Sequence, residues 1–334
     1  MKIKKLHIKN FKSIADLKII EPNPFTVFVG PNGSGKSNIF EALEFMNLCV
    51  KEFRKDIDGL FGGENNFIYH KAIDNANIFI DGDKNESIHT VRMENEKGHY
   101  YDHIILQNRL TDDETQIKDI KHSSFYPQLT DNFLRLFINS PKGNKLNFQD
   151  DNRLTLIADN LEKVLKRILK NEGDKEEILD WLRLFIPEFE DVFIESSELS
   201  RTDTLIVKEK YSSKYFTKEL LSDGTYNILA LLAAVFQSDE PQFLCIEEPE
   251  NGLTPDVIKE MVTLFRNACE EKGHYIWLNT HSQSLVSQLT SDEIITVNKI
   301  KGETKIRQFK GKDFHGLRMD EAWLTNTLGG GLPW

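Results

Sequence analysis

Cysteine is scarce in this chain: Cys49, Cys245 and Cys269 are the only three in 334 residues, an odd number without metal-ligand spacing. That excludes a disulfide framework and fits reduced thiols in a cytoplasmic protein. Long apolar runs are missing too. The longest, residues 228–236, falls well short of the roughly 20 residues that cross a bilayer, so no membrane association is expected. Residues 1–14 are basic but alternate polar with apolar, unlike a secretion signal. There is no internal repeat, no low-complexity tract and no heptad run long enough for an extended coiled coil. Positive charge is in deficit, with 42 Lys and Arg against 53 Asp and Glu and a formal net charge of −11. Wholesale coating of nucleic acid is excluded by that balance; a local basic groove is not.

What the chain does carry is Gly30-Pro31-Asn32-Gly33-Ser34-Gly35-Lys36-Ser37, followed by Asn38. An apolar strand at 25–29 leads in, and a helix through Ile39, Leu43 and Met46 leads out. The spacing fits the phosphate-binding P-loop. Its glycines let the backbone wrap so that successive N–H groups point inward, and the helix start aims its positive dipole end at the same place. Lys36 would reach the β- and γ-phosphates of ATP, and the Ser37 hydroxyl would ligate Mg²⁺.

The remaining elements follow from periodicity. Residues 2–9 alternate as a strand with Ile3, Leu6 and Ile8 on one side, residues 10–14 break it, and residues 17–20 resume it. The helix after the P-loop runs to about Arg54, and 59–66 is loop. Residues 77–81, 86–94 and 100–107 read as a meander of short strands. From 112 to 151 the pattern is weak. Residues 161–169 form an amphipathic helix with a basic face at Lys163, Lys166, Arg167 and Lys170, which is either solvated or a nucleic-acid contact. A second helix at 176–186 ends at Pro187, and strands follow at 192–195 and 204–208.

Three further constellations carry chemistry. Ser222-Asp223-Gly224-Thr225 opens an apolar helix, with Ser222 at the cap. Two readings fit it: an anion site at a helix N-terminus, or a well-capped core helix. Residues 243–246 make a buried strand ending in Glu247 and Glu248, where ligands bind in open α/β sheets. There Glu247 suits the Mg²⁺ shell and Glu248 suits polarising a water. Lastly, the strand at 275–279 ends in Thr280-His281-Ser282, placing His281 at a strand end, suited to a γ-phosphate or the attacking water.

In that order, these motifs resemble the nucleotide-binding core of ABC-type ATPases, over roughly residues 1–70 and 200–330. Ile8-Lys-Asn-Phe-Lys-Ser13, Leu221-Ser-Asp-Gly-Thr225 and Glu247-Glu248-Pro-Glu250 are similar to the RecF/SMC and overcoming-lysogenization-defect branches and not to transporter subunits. The 159–161 segment and the 323–333 tail resemble ATPases of bacterial defence operons. The resemblance implies an α/β fold: an ABC-type P-loop ATPase head with a mixed β-sheet core, an antiparallel β subdomain, an α-helical signature subdomain and a central insertion. It implies three segments: 1–110 with the P-loop, 111–200 as insertion or helical lid, and 201–334 with the signature, acidic strand end and histidine.

Function follows from the same resemblance. Two copies would pair head to tail as a homodimer, or as a larger oligomer built on it. ATP and Mg²⁺ would lie between the P-loop of one and Ser222, Asp223, Gly224 and Thr225 of the other. Lys12 and Ser13 would approach the nucleotide, and Gln107 is the candidate for the family's glutamine loop. Thr254 stands where relatives carry Asp or His. Neither a Toprim nuclease nor coiled-coil arms is expected, so the output would pass to a separately encoded effector such as a nuclease or toxin. The alternative is a RecF-like clamp on DNA, using basic residues at 163–170, 208–218 and 299–312.

Overall fold

The computed structural model describes residues 2–51, 61, 68–69, 76–82, 86–94, 100–108, 125–138, 152–197 and 202–329. The helix end expected near Arg54, most of the 59–66 loop and the tail beyond 329 lie outside them. So do residues 112–124 and 139–151 of the weakly patterned stretch. The chain forms two compact units interleaved along the sequence: Met1–Arg135, Glu240–Cys245 and Gly273–Trp334 make one, and Leu136–Asp239 with Ile246–Lys272 make the other.

The first unit contains a five-stranded antiparallel sheet. Strands β1 (Ile3–Phe11) and β2 (Ile14–Ile20) form a hairpin turning at Lys12 and Ser13, tighter than the five-residue break read from sequence. β4 (Asn77–Gly82), β5 (Glu86–Glu94) and β6 (Tyr100–Asn108) continue the sheet in the order β2-β1-β4-β5-β6, which is the expected meander. A register shift between Ile3 and Lys5 accounts for the odd spacing of Ile3 and Leu6: the irregularity brings both, with Ile8, into the core.

The central sheet follows the order β14-β13-β3-β12-β11-β7. Its members are β3 (Phe25–Val29), β7 (Phe133–Leu136), β11 (Phe243–Glu247), β12 (Tyr275–Thr280), β13 (Ile294–Ile300) and β14 (Glu303–Gln308). β3 is parallel to both neighbours, β12 and β13, and all five of its residues are buried, hence a run that is apolar except for Thr26, whose hydroxyl donates to Asn23 O at 2.6 Å. β7 and the short helix α2 (Phe125–Leu129) fall inside the stretch whose pattern was too weak to read.

Helix α1 (Lys36–Lys51) supplies Ile39, Phe40, Leu43, Phe45 and Met46 to a core shared with both sheets. Phe28 meets Phe40 edge-on at 5.6 Å and Trp277 at 5.4 Å, and Trp277 meets Phe243 at 4.9 Å. Truncating one such ring to alanine costs about 3–5 kcal/mol, so the strand before the P-loop is held by its aromatic neighbours as well as by its ladder.

The second unit packs α3 (Leu161–Ile168), α4 (Glu172–Phe185), α5 (Asp223–Phe236) and α6 (Pro255–Glu271) with the antiparallel sheet β10-β9-β8. Those strands are β8 (Phe189–Ser197), β9 (Thr202–Glu209) and β10 (Tyr215–Thr217). Every residue of α5 from 227 to 236 is buried, which explains its apolar composition all round. α4 starts earlier than the apolar period suggests because Asn171 caps it, accepting from Gly173 N and Asp174 N. No helix of the described residues is long and apolar enough to cross a membrane.

Candidate functional site

In the first unit, Val29 and Thr280 are direct partners in the parallel β3–β12 pair, so Gly30 and His281 leave the sheet side by side. His281 is exposed there, ahead of the one-turn helix α7 (Gln283–Val286), which Ser282 caps. The loop of residues 30–37 is drawn tightly onto the sheet. A Cβ on Gly30 would overlap the Val297 carbonyl of β13, and one on Gly35 would overlap the Thr304 hydroxyl. Gly35 also holds a φ of +99°, which suits glycine.

Lys36 is buried and curls over its own loop, donating to Gly30 O at 2.8 Å and Pro31 O at 3.1 Å. Gly33 has open space around it, and Asn32 beside it is exposed. The Ser34 hydroxyl is buried with no hydrogen-bond partner among the described residues. Backbone amides, one ammonium and an unsatisfied hydroxyl form a donor set that suits a polyphosphate.

Lys12 and Ser13 sit next to this loop by different means. Lys12, at φ +48°, is ion-paired to Glu41 of α1 and lies 5.6 Å from the Phe61 ring centroid. Glu41 also faces Arg135, 3.4 Å away, and Arg135 pairs with Glu44 at 2.6 Å. The Ser13 hydroxyl accepts from the Asn38 side chain at 2.6 Å and lies 2.6 Å from the Thr304 hydroxyl. Asn38 was expected as part of the loop; Thr304, on β14, carried no signal in the sequence.

In the second unit, Ser222 caps α5 by accepting from Thr225 N at 3.1 Å, and its oxygen lies 2.9 Å from the Thr225 hydroxyl. Asp223 occupies the first turn, where a carboxylate is favoured by the helix dipole. A Cβ on Gly224 would come within 2.5 Å of Gly252 O, so the close neighbour that demands glycine there is the chain's own turn. Asn227 straps the same turn, its amide donating to Pro249 O at 3.0 Å and Asn251 O at 2.8 Å. Glu248, at φ +48° and half-buried, accepts from the Asn251 side chain at 3.2 Å. A non-glycine residue held there is strained, a cost found often at functional positions. Glu247 ends β11 and is buried. Thr254 is the N-cap residue of α6, without a side-chain cap bond.

Tyr226, next in line, donates its hydroxyl to Ala158 O at 2.8 Å. Burial raises its phenol pKa above the ordinary value. Lys218 lies 4.7 Å from the Tyr226 ring centroid; burial disfavours its charge, but Tyr226 and Glu162 outweigh that and raise its pKa.

Among the described residues no group of three or more His, Cys, Asp or Glu gathers to hold a metal. Gln107 lies within β6, paired with Ser87, and its side chain is outside the description.

Several of the basic residues proposed for DNA are engaged inside the chain. Lys166 pairs with Asp203, Lys208 with Glu190, Lys218 with Glu162, Lys305 with Glu303 and Lys310 with Glu21. Arg167 donates to Gln237 O and Asn152 O.

The mixed central sheet with a P-loop after its third strand, and the antiparallel sheet of the same unit, have the fold of an ABC-type P-loop ATPase head. A solved SMC head bound to the C-winged helix domain of ScpA matches with a TM-score of 0.64 at 16% identity, over 96% of this chain and 99% of that one. Among curated proteins, the chromosome partition protein Smc of Methanocaldococcus jannaschii is 52% identical over 44 residues, 13% of this chain and 4% of that protein. The DNA replication and repair protein RecF of Lactococcus lactis subsp. cremoris is 45% identical over 49 residues, 14% of this chain and 13% of RecF. The chain thus spans only a small part of the length of these relatives. The family model described as "AAA domain, putative AbiEii toxin, Type IV TA system" matches residues 25–287, and the chain belongs to that family.

Proposed function

We propose that this protein binds ATP with Mg²⁺ through the loop of residues 30–38, dimerises head to tail around the nucleotide, and hydrolyses it. The observation that carries this reading is the shared exit of Gly30 and His281 from the paired strands β3 and β12, with Lys36 folded over the loop. Lys36 holds the β- and γ-phosphates, and Lys12 and Ser13 approach them from the hairpin turn. Ser37 and Glu247 are the residues that would hold Mg²⁺, which would supply positive charge to the phosphate oxygens. Glu248 orients the attacking water and His281 contacts the γ-phosphate. Ser222, Asp223, Gly224 and Thr225 close the site from the second copy.

The output, in this reading, is control of a separately encoded nuclease or toxin in the cytoplasm during anti-phage defence. The family's description as a putative toxin of a toxin–antitoxin system supports a role in a defence operon. A direct clamp on DNA of the RecF type is the second reading, supported by the RecF match and weakened by the internal pairing of Lys166, Lys208, Lys218, Lys305 and Lys310. The deciding experiment is a pull-down of Glu248→Gln with ATP and Mg²⁺ from the native host. A stoichiometric nuclease or toxin supports the first reading; DNA alone, released by salt, supports the second.

A further inference from the structure

Thr304 on β14 is fully buried, and both its amide and its hydroxyl are turned to the nucleotide loop and the turn beside it. The amide donates to Ser13 O at 2.8 Å. The hydroxyl donates to Ser34 O at 3.0 Å and lies 2.6 Å from Ser13 Oγ. A hydroxyl has one proton to give. Since that of Thr304 goes to the Ser34 carbonyl, Ser13 must donate to Thr304, and Ser13 in turn accepts from Asn38 at 2.6 Å. The donors therefore run one way, from Asn38 through Ser13 and Thr304 to the Ser34 carbonyl. Such directed chains reinforce each bond within them.

The Ser34–Gly35 peptide is trans. A trans peptide points its N–H opposite to its C=O. Pinning the Ser34 carbonyl onto Thr304 therefore aims the Gly35 N–H away from β14. Gly35 itself has no room for a Cβ against the Thr304 hydroxyl, so the loop and β14 fit only at this separation.

We propose that Thr304 is a positioning residue for nucleotide binding: from behind the loop, its hydroxyl sets the orientation of the Ser34–Gly35 peptide that receives phosphate. This rests on the ATP-binding reading above. The alternative role, a satisfied core threonine, would affect folding and leave affinity alone.

The test is titration with a fluorescent ATP analogue and Mg²⁺, well below each melting temperature, of the unmodified chain, Thr304→Val and Thr304→Ser. Valine keeps the shape and leaves the buried carbonyl without its donor. Affinity is expected to fall about tenfold in Thr304→Val, of the order set by one lost buried hydrogen bond. Thr304→Ser should stay within about twofold, because it retains the hydroxyl. Tight binding by the unmodified chain together with unchanged binding by Thr304→Val overturns the proposal alone. No binding by the unmodified chain overturns the ATP reading and this proposal with it. Should Thr304→Val not fold, Thr304→Ala removes the same hydroxyl without setting a methyl group against the Ser34 carbonyl, and an unchanged affinity there overturns it equally.

Discussion

Asn227 and Asn251 are joined by a 2.8 Å hydrogen bond from the buried side-chain amide of the first to the carbonyl of the second. The same amide serves Pro249 O, so one side chain on α5 holds both sides of the turn that follows Glu248. Replacing Asn227 with alanine leaves two carbonyls short of a donor. Unfolding free energy should fall by about 1–3 kcal/mol in urea titrations. Because the strap lies beside Glu248, turnover should drop further than nucleotide affinity.

Lys36→Ala should abolish detectable nucleotide binding in the same fluorescence titration. The loop would also lose the bonds from Lys36 to Gly30 O and Pro31 O. Tight ATP binding by this variant would remove the loop from the site.

Glu248→Gln should bind ATP as the unmodified chain does, yet release no phosphate, and sediment as a dimer only when ATP is present. Steady-state hydrolysis at the normal rate would mean that another group orients the water.

Arg135 stands between two carboxylates, with its side chain 6% exposed. Removing it takes a buried cation away from Glu44 and Glu41, although Lys12 still pairs with Glu41. Arg135→Ala should destabilise the chain by roughly 3–5 kcal/mol in denaturant titrations. Glu41→Gln should cost less, since Arg135 keeps Glu44.

Asp320, in the short helix α8 (Met319–Leu324), accepts from Gln283 at 3.3 Å and pairs with Arg318 at 2.7 Å. Burial on its own would raise this carboxyl, but Arg318 and Gln283 outweigh it and hold the pKa below the ordinary 3.8. A depressed carboxylate contributes stability above its unfolded pKa and loses it as the pH falls through the folded value. Asp320→Asn should therefore melt below the unmodified chain at pH 7, and the gap should close on acidification below about pH 4. A gap independent of pH would mean that the charge is irrelevant.

Local patterns made much of this legible in advance. The strand–loop–helix of residues 25–51, the β4–β6 meander and the acidic end of β11 are written in short stretches, each with its own period or spacing. What stayed hidden depends on partners distant in sequence. Ser34 and Thr304 are 270 residues apart, and a threonine in an ordinary strand carries no mark of what it faces. Asn227 lies inside an apolar helix and gives no hint of the turn it straps. β7 was obscured by Arg135, a charged residue in a four-residue strand, whose burial makes sense only beside Glu41 and Glu44. The close approach of Gly252 to Gly224 likewise could not be read from the 222–225 stretch itself.

The strand that precedes the P-loop has both of its neighbours, β12 and β13, encoded in the last fifth of the chain. While the ribosome is still making residues 30–270, β3 has no ladder on either side, and its five buried residues must wait for a late pairing that spans almost the whole polypeptide. Such non-local closure slows folding and prolongs the exposure of sticky strands. Fragments that stop before residue 275 should consequently emerge insoluble or chaperone-bound even though they contain the entire P-loop, and a split version of the gene should regain a soluble product only when the 273–329 segment is co-expressed.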